Sequence, residues 1–339
     1  MSELSLHIGS QVYRGWREIS VTTGIEQLAG QFDLTLALRN QLGELPDDLK
    51  CAVKIDDQPI VTGFIDDDIE TISANEHSAQ VTGRDATGDL VDSSAEITGS
   101  SWANRTLDQI ARDLAAPFDI PVVVATDVGA PFAYEHTQPG ETIYEQLARG
   151  ARMRGVLLTT DGLGRLVITR EGTDRVGRIR LGKEIKQAVR IRTRRDRFRR
   201  YLCRGQVPGT DLHNGDVATQ PSSEITDAQI RRQRLLIIDA LDPADDAECK
   251  QLAQWEKTQR IGRSEAIEAT VKGWTINGAP WRPNTRVEID LRPLVREVQT
   301  LLVAQVNYRI DRDGQAATLR LVPTGTFDAP ALTERDPAA

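Results

Sequence analysis

Eight arginines stand between Arg190 and Arg204, and Asp196 is the only acid among them. A guanidinium is a planar, permanently charged fork that grips phosphate or carboxylate through two parallel hydrogen bonds. Along Val189-Arg190-Ile191-Arg192-Thr193-Arg194 the arginines alternate with apolar or β-branched residues. An extended strand would therefore set Arg190, Arg192 and Arg194 on one face, with Arg195 and Arg197 continuing the stripe. Three readings stay open for these five residues. They are an exposed strand face paired with acids on neighbouring segments, a surface that meets nucleic acid, or a surface that docks protein. Phe198 and Tyr201 are too few to form a base-stacking platform.

Chemistry of other kinds finds little support. The histidines, His7, His77, His136 and His213, show no metal-ligand spacing, and no metal or cofactor is expected. No nucleophile elbow, phosphate loop or dinucleotide glycine pattern occurs, and Gly162-Leu163-Gly164 reads as a turn. Asp66-Asp67-Asp68 could collect a divalent cation, but neighbours on a strand point to opposite faces, and a solvated strand end accounts for them. Arg84-Asp85-Ala86-Thr87-Gly88-Asp89 could pair an acid with a base, but a helix cap or turn after the strand around Val81 is the favoured reading. No catalytic residue is assigned, and no enzyme is expected.

The elements that must position these residues are mainly β. Gln31 to Leu38 alternates with period 2, Ala52–Ile55 and Ile60–Ile65 flank a polar turn, and Ser78–Gly83 alternates again. Near residue 98 the texture changes. Thr106-Leu107-Asp108-Gln109 and Thr142-Ile143-Tyr144-Glu145 have capping-box spacing before helical apolar repeats. Asp161-Gly162-Leu163-Gly164 separates two short apolar runs as a hairpin turn. A second β-rich section starts near Gly182, interrupted by a helix that Asp242 can cap and Pro243 can start. Trp274 and Trp281 sit beside turn residues and, with Trp255, read as core plugs or interface anchors. A weak echo links the order of strands around residues 45–81 to that around residues 281–319. The spacings leave a true duplication open.

The chain has 339 residues, 42 basic against 50 acidic side chains, and a formal net charge of −8, which argues against wrapping nucleic acid over its whole surface. Hydrophobic residues make up 39 %, enough for a sizeable core. No apolar run is long enough for a membrane span, no signal peptide is visible, and Cys51, Cys203 and Cys249 form no disulfide framework, so folding in a reducing cytoplasm is expected.

An ordered series of short motifs resembles one family. Leu4-Ser5-Leu6-His7-Ile8-Gly9, Tyr13-Arg14-Gly15-Trp16, Phe32-Asp33-Leu34-Thr35-Leu36 and Val81-Thr82-Gly83-Arg84-Asp85 are similar to Mu-type phage baseplate hub proteins. So are Val271-Lys272-Gly273-Trp274, Trp281-Arg282-Pro283-Asn284 and Leu302-Val303-Ala304-Gln305-Val306. That family is related to late-control-D tail proteins and to the hub part of type VI secretion spikes. The resemblance implies an α+β, mainly β fold with two barrel-like tube domains. Residues 1–97 would form the first, 98–181 a peripheral α+β unit, and 182–239 with 262–325 the second. Residues 240–261 would be an inserted helix and 326–339 a mobile tail. It also implies a homotrimeric ring in the baseplate of a contractile tail, assembled in the host cytoplasm. The ring would contact the tail tube protein, the central spike protein and other baseplate proteins, with DNA passing through and no stable membrane insertion. The arginine stripe would line that channel or dock a neighbour. The alternative is a nucleic-acid-binding or processing protein that uses residues 190–204.

Overall fold

The computed structural model describes residues 2–37, 50–73, 77–95, 101–205, 220–240, 245–293, 295, 297–311 and 314–328. Leu38, His213, Asp242, Pro243, the boundary at 97–98 and the chain beyond Asp328 lie outside the described residues.

Strand Gln31–Ala37 shows why the alternating segments became a sheet: Phe32, Leu34 and Leu36 are buried on one side, while Asp33 and Thr35 face the other. Eleven strands follow one path across a thirteen-stranded sheet. From one edge they are Ile185–Arg192, Glu265–Lys272, Gly314–Pro323, Gln299–Asp311, Glu18–Gly24, Gln31–Ala37, His77–Asp85, Gln58–Ile72, Lys50–Ile55, Leu4–Ile8 and Gln11–Tyr13. Arg286–Asp290 branches from Gln299–Asp311 and carries Arg175–Arg180 in parallel. The N-terminal and C-terminal β-rich sections join where Gln305–Ile310 runs antiparallel to Gly24–Ile19.

One face of this sheet holds a shared core that includes Leu6, Val21, Leu34, Val53, Val81, Trp274, Val303, Tyr308 and Leu319. The opposite face buries a smaller apolar cluster of Ala266, Leu302, Ala304 and Val322 with Ile25 and Phe327, and beside it is polar and laced across its strands. Asn307 Nδ2 donates to Ser20 Oγ at 3.1 Å and to Thr22 Oγ1 at 2.7 Å, and Gln80 Nε2 donates to both Asp33 carboxylate oxygens at 2.9 Å. Trp274 and Trp281 are core plugs, and the Tyr308 hydroxyl donates to the Trp281 carbonyl.

A second core lies under α2 (Leu107–Ala115) and α3 (Ile143–Arg154), which follow the short α1 (Gly88–Asp92). Glu145 N donates to Thr142 Oγ1 at 3.2 Å and Thr142 N to Glu145 Oε2 at 2.9 Å, closing the predicted capping box. Gln109 Oε1 likewise accepts from Thr106 N at 3.2 Å. Gly155, at φ 61°, ends α3 in the left-handed conformation that glycine tolerates best. Leu157–Thr160 and Leu166–Thr169 form the hairpin expected around Asp161–Gly164.

The inserted helix α4 runs Asp246–Ser264, later than the expected 240–261, because Asp245 supplies the cap through a box with Glu248. It covers a small sheet of Ser222–Thr226, Arg200–Arg204 and Leu235–Asp239 in that order of pairing 226/200/235. Thr326 and Phe327, placed in the tail by sequence, are buried. A Cβ on Gly262 of α4 would stand 2.3 Å from Thr326 Oγ1, so the helix rests directly on this segment.

Candidate functional site

Among the described residues the strand Ile185–Arg192 forms a ladder with Glu265–Lys272 alone, apart from a single bridge from Ile185 to Leu181, and it ends one side of the large sheet. Arg190 lies opposite Ile267 in register and is half-buried on the core side; Arg192, opposite Glu265, is exposed. The strand ends there, so Arg194 and Arg195 stand on an exposed turn rather than continuing the row. Arg197 departs most from the expected stripe. It is 5 % exposed, and its Nε and Nη2 reach Asp227 Oδ2 at 3.0 and 2.6 Å, with Nη2 also on Gln229 Oε1 at 2.9 Å. Its charge is spent inside the fold, where an ion pair survives only with its hydrogen bonds completed. Arg200 is exposed but forked onto Glu224, both contacts at 2.7 Å.

The fold adds arginines that the sequence row did not contain. Arg199 N and Arg200 N both donate to the Arg234 carbonyl at 3.0 Å, which lays the turn after Asp227 beside the turn after Thr193. Arg234 Nη1 donates to the carbonyls of Arg194 and Arg197 at 3.0 Å, and Arg260 Nη1 to that of Asp196 at 3.2 Å. The two guanidinium groups also stack on Phe198, at 4.5 and 5.4 Å from its ring centre. Arg231 and Arg232, on the second turn, are exposed. The signal was present as the run Arg231-Arg232-Gln233-Arg234, but nothing local joined it to residues 190–204. Tyr201 belongs to the core beneath α4, not to a stacking surface.

Other candidates resolve into structural contacts. Strand Gln58–Ile72 runs through Asp66–Asp68 instead of ending before them. Asp66 holds Arg84 Nε at 2.8 Å, and Asp67 accepts from Thr82 at 3.1 Å. Among the described residues no group of three histidine, cysteine or acidic side chains gathers in metal-binding geometry. Cys203 is buried under α4, against Cys249 on that helix's buried face. Burial raises both thiols, Cys203 to about 12, so neither is a nucleophile at neutral pH. A cleft of about 750 Å³ between α3 and α4 is lined by Tyr144, Trp255 and several charged groups. Of these, Glu26 pairs with Arg263 and Arg320, Glu141 with Arg149, and Glu256 with Arg260. Two carboxyls are strongly perturbed among the described residues: hydrogen bonds from Arg292 and Arg178 hold Asp290 far below the usual carboxylate range, while burial at the end of strand His77–Asp85 pushes Asp85 up to about 6. The side-chain neighbours of Asp85 are the hydroxyls of Thr87 and Thr160.

Comparison with known proteins places this arrangement. Residues 3–85 match the model of the Mu phage baseplate assembly protein GpP-like, N-terminal. Residues 87–170 match the baseplate hub protein gp44-like, second domain, and residues 245–330 the Mu phage baseplate assembly protein GpP, fourth domain. The baseplate hub protein gp44 of Escherichia phage Mu is 32 % identical over 98 % of this chain and 90 % of its own length. The chain belongs to the Mu-type baseplate hub family. It is thus a structural protein of a phage tail baseplate. The crystal structure of the 43 kDa tail protein of prophage MuSo2 from Shewanella oneidensis shares the hub fold with a TM-score of 0.85. It is 32 % identical, and the alignment covers 97 % of this chain and 100 % of that one. An Escherichia coli component of the type VI secretion system, similar in structure to the T4 tail proteins gp27 and gp5, shares the fold alone. There the TM-score is 0.52 at 13 % identity, covering 97 % of the hub chain and 80 % of the other.

Proposed function

We propose that this hub protein assembles as a homotrimeric ring that joins the tail tube to the central spike and lets DNA pass, and that it has no catalytic activity. The reading is carried by the relationship to gp44 of phage Mu across nearly the whole of both chains. The two β-rich sections, 1–97 and 182–239 with 262–325, serve as its tube domains, and 98–181 stands outside them.

Ring closure needs unlike surfaces on one copy that meet on the next. The large sheet has three terminal strands among the described residues, Ile185–Arg192, Gln11–Tyr13 and the branch strand Arg175–Arg180. On the first, Val189 and Ile191 remain 46 % and 36 % exposed, an apolar strand edge that a neighbouring copy would cover. Arg190 and Arg192 then lie at the seam between copies. The polar part of the opposite face, with Ser20, Thr22, Asp33, Gln80 and Asn307, suits a channel wall, since hydroxyls, amides and a carboxylate hold passing phosphates less firmly than a row of arginines would. The competing reading, a nucleic-acid-binding protein using residues 190–204, loses support from Arg197 and Arg200, whose charges are already paired.

Sedimentation velocity over a wide concentration range tests the proposal. Three copies of a 37.5 kDa chain are expected, and images of that species should show a central opening. A monomer at every concentration, alone and with tube and spike proteins present, would overturn it.

A further inference from the structure

The small sheet beneath α4 has two sides of different character. Tyr201, Cys203, Leu236 and Ile238 pack under the helix. The outward side pairs Arg200 with Leu235, Leu202 with Ile237 and Arg204 with Asp239 in register. Leu235 and Ile237 are 42 % and 44 % exposed there, with Leu202 half-buried between them and Glu224. The strand Leu235–Asp239 pairs with Arg200–Arg204 alone among the described residues, so its outer row of backbone donors and acceptors is open. The two turns that meet through Arg234 at the start of this strand carry four exposed arginines: Arg194, Arg195, Arg231 and Arg232. No described carboxylate pairs with any of the four, whereas Arg197, Arg200 and Arg260 nearby each hold an acid.

An apolar pair, a free strand edge and an unneutralised positive cluster lie in sequence along one line. We propose that this corner docks an extended acidic segment of another protein, added as a fourth strand beside Leu235–Asp239. The incoming backbone pairs with the open edge, alternate apolar side chains cover Leu235 and Ile237, and acidic residues at the end nearest Leu235 fork onto the arginines. A DNA duplex could neutralise the arginines but has no use for the strand edge or the two aliphatic side chains. That the partner is a tail protein rests on the hub reading; the surface itself does not.

The experiment uses the purified full chain and a fluorescent nine-residue peptide of three acidic residues followed by alternating valine and threonine. Fluorescence anisotropy measures its binding against three controls: a shuffled peptide of equal composition, a version N-methylated along one edge, and a 20-base-pair duplex DNA. Binding of the alternating peptide is expected to weaken by about tenfold in Arg231→Glu/Arg232→Glu, as two surface charge pairs are reversed. The separate variant Arg194→Glu/Arg195→Glu should do the same. Shuffling and N-methylation should each weaken it comparably, with the unfolding transition of both variants unchanged. Equal binding by the shuffled or methylated peptide, tighter binding of the duplex, no effect of either variant, or no binding at millimolar peptide would overturn the proposal. Sedimentation of the same samples separates the two readings: a trimer that ignores the peptide sinks this one alone, and a peptide-binding monomer sinks the ring alone.

Discussion

Asp85 offers a stability measurement whose sign and size follow from one buried carboxyl. It is 2 % exposed, where strand His77–Asp85 ends and the chain turns into α1. Oδ1 accepts from Thr87 N at 3.3 Å and Thr87 Oγ1 at 3.2 Å. Oδ2 is buried without a hydrogen-bond partner, as is Thr160 Oγ1, although that hydroxyl lies near enough to offset part of the burial. Desolvation dominates and lifts the carboxyl from 3.8 to about 6. A folded pKa above the unfolded one means that the protonated carboxyl is the better fit. Its contribution is fully present below the unfolded value and is lost as pH rises through about 6. Two pH units correspond to about 3 kcal/mol, the amount by which ionised Asp85 burdens the fold at pH 8.

Asp85→Asn keeps the Oδ1 acceptor for Thr87, removes the charge and offers an N–H to Thr160. The variant is expected to be more stable than the parent by about 1–3 kcal/mol at pH 8, and nearly equal to it at pH 4. Urea unfolding of both proteins at half-unit steps from pH 4 to 8 checks this. Only the difference between the two curves matters, since the other carboxyls titrate alike in both. A difference that stays flat across the range, or a variant less stable than the parent at pH 8, would refute the account of Asp85 as a desolvated, charge-intolerant carboxyl.

Two further substitutions probe packing. Arg197→Ala strands Asp227, which is 3 % exposed, and should cost about 3–5 kcal/mol in urea unfolding, far more than Arg194→Ala on the exposed turn. Gly262→Ala forces a methyl against Thr326 and should cost about 1–3 kcal/mol, part of which Thr326→Gly recovers in the double variant, measured by the same unfolding curves.

What was legible in the sequence was local. Thr142 and Glu145 are three residues apart, and their box needs nothing from elsewhere; Phe32, Leu34 and Leu36 declare a buried face by alternation alone. The joining of the two β-rich sections was not legible. Asn307 meets Thr22 across 285 residues, and no pattern within either strand names its partner. The small sheet was hidden for a different reason. In Arg200–Arg204 the outward residues Arg200 and Arg204 drew attention as charge, while the inward pair Tyr201 and Cys203, which makes it a strand, was too short to show a period.

The arginine row shows why charge in sequence is a poor guide to charge on a surface. Potential outside the protein depends on which side chains keep their charge unpaired, and that is decided by segments far along the chain. Arg197 is cancelled by Asp227 and Arg200 by Glu224, 30 and 24 residues away. Arg190 is turned toward the core side by its register with Ile267. Arg194 and Arg195 stay without a described acid because the turn they occupy is braced through its backbone carbonyls by Arg234 and Arg260, and the acid Arg260 carries, Glu256, is spent on Arg260 itself. The same bracing draws in Arg231 and Arg232, so the fold breaks one predicted stripe and builds a different cluster. Its position beside an open strand edge, rather than on the polar part of the large sheet, is the observation on which the proposed docking of an acidic segment rests.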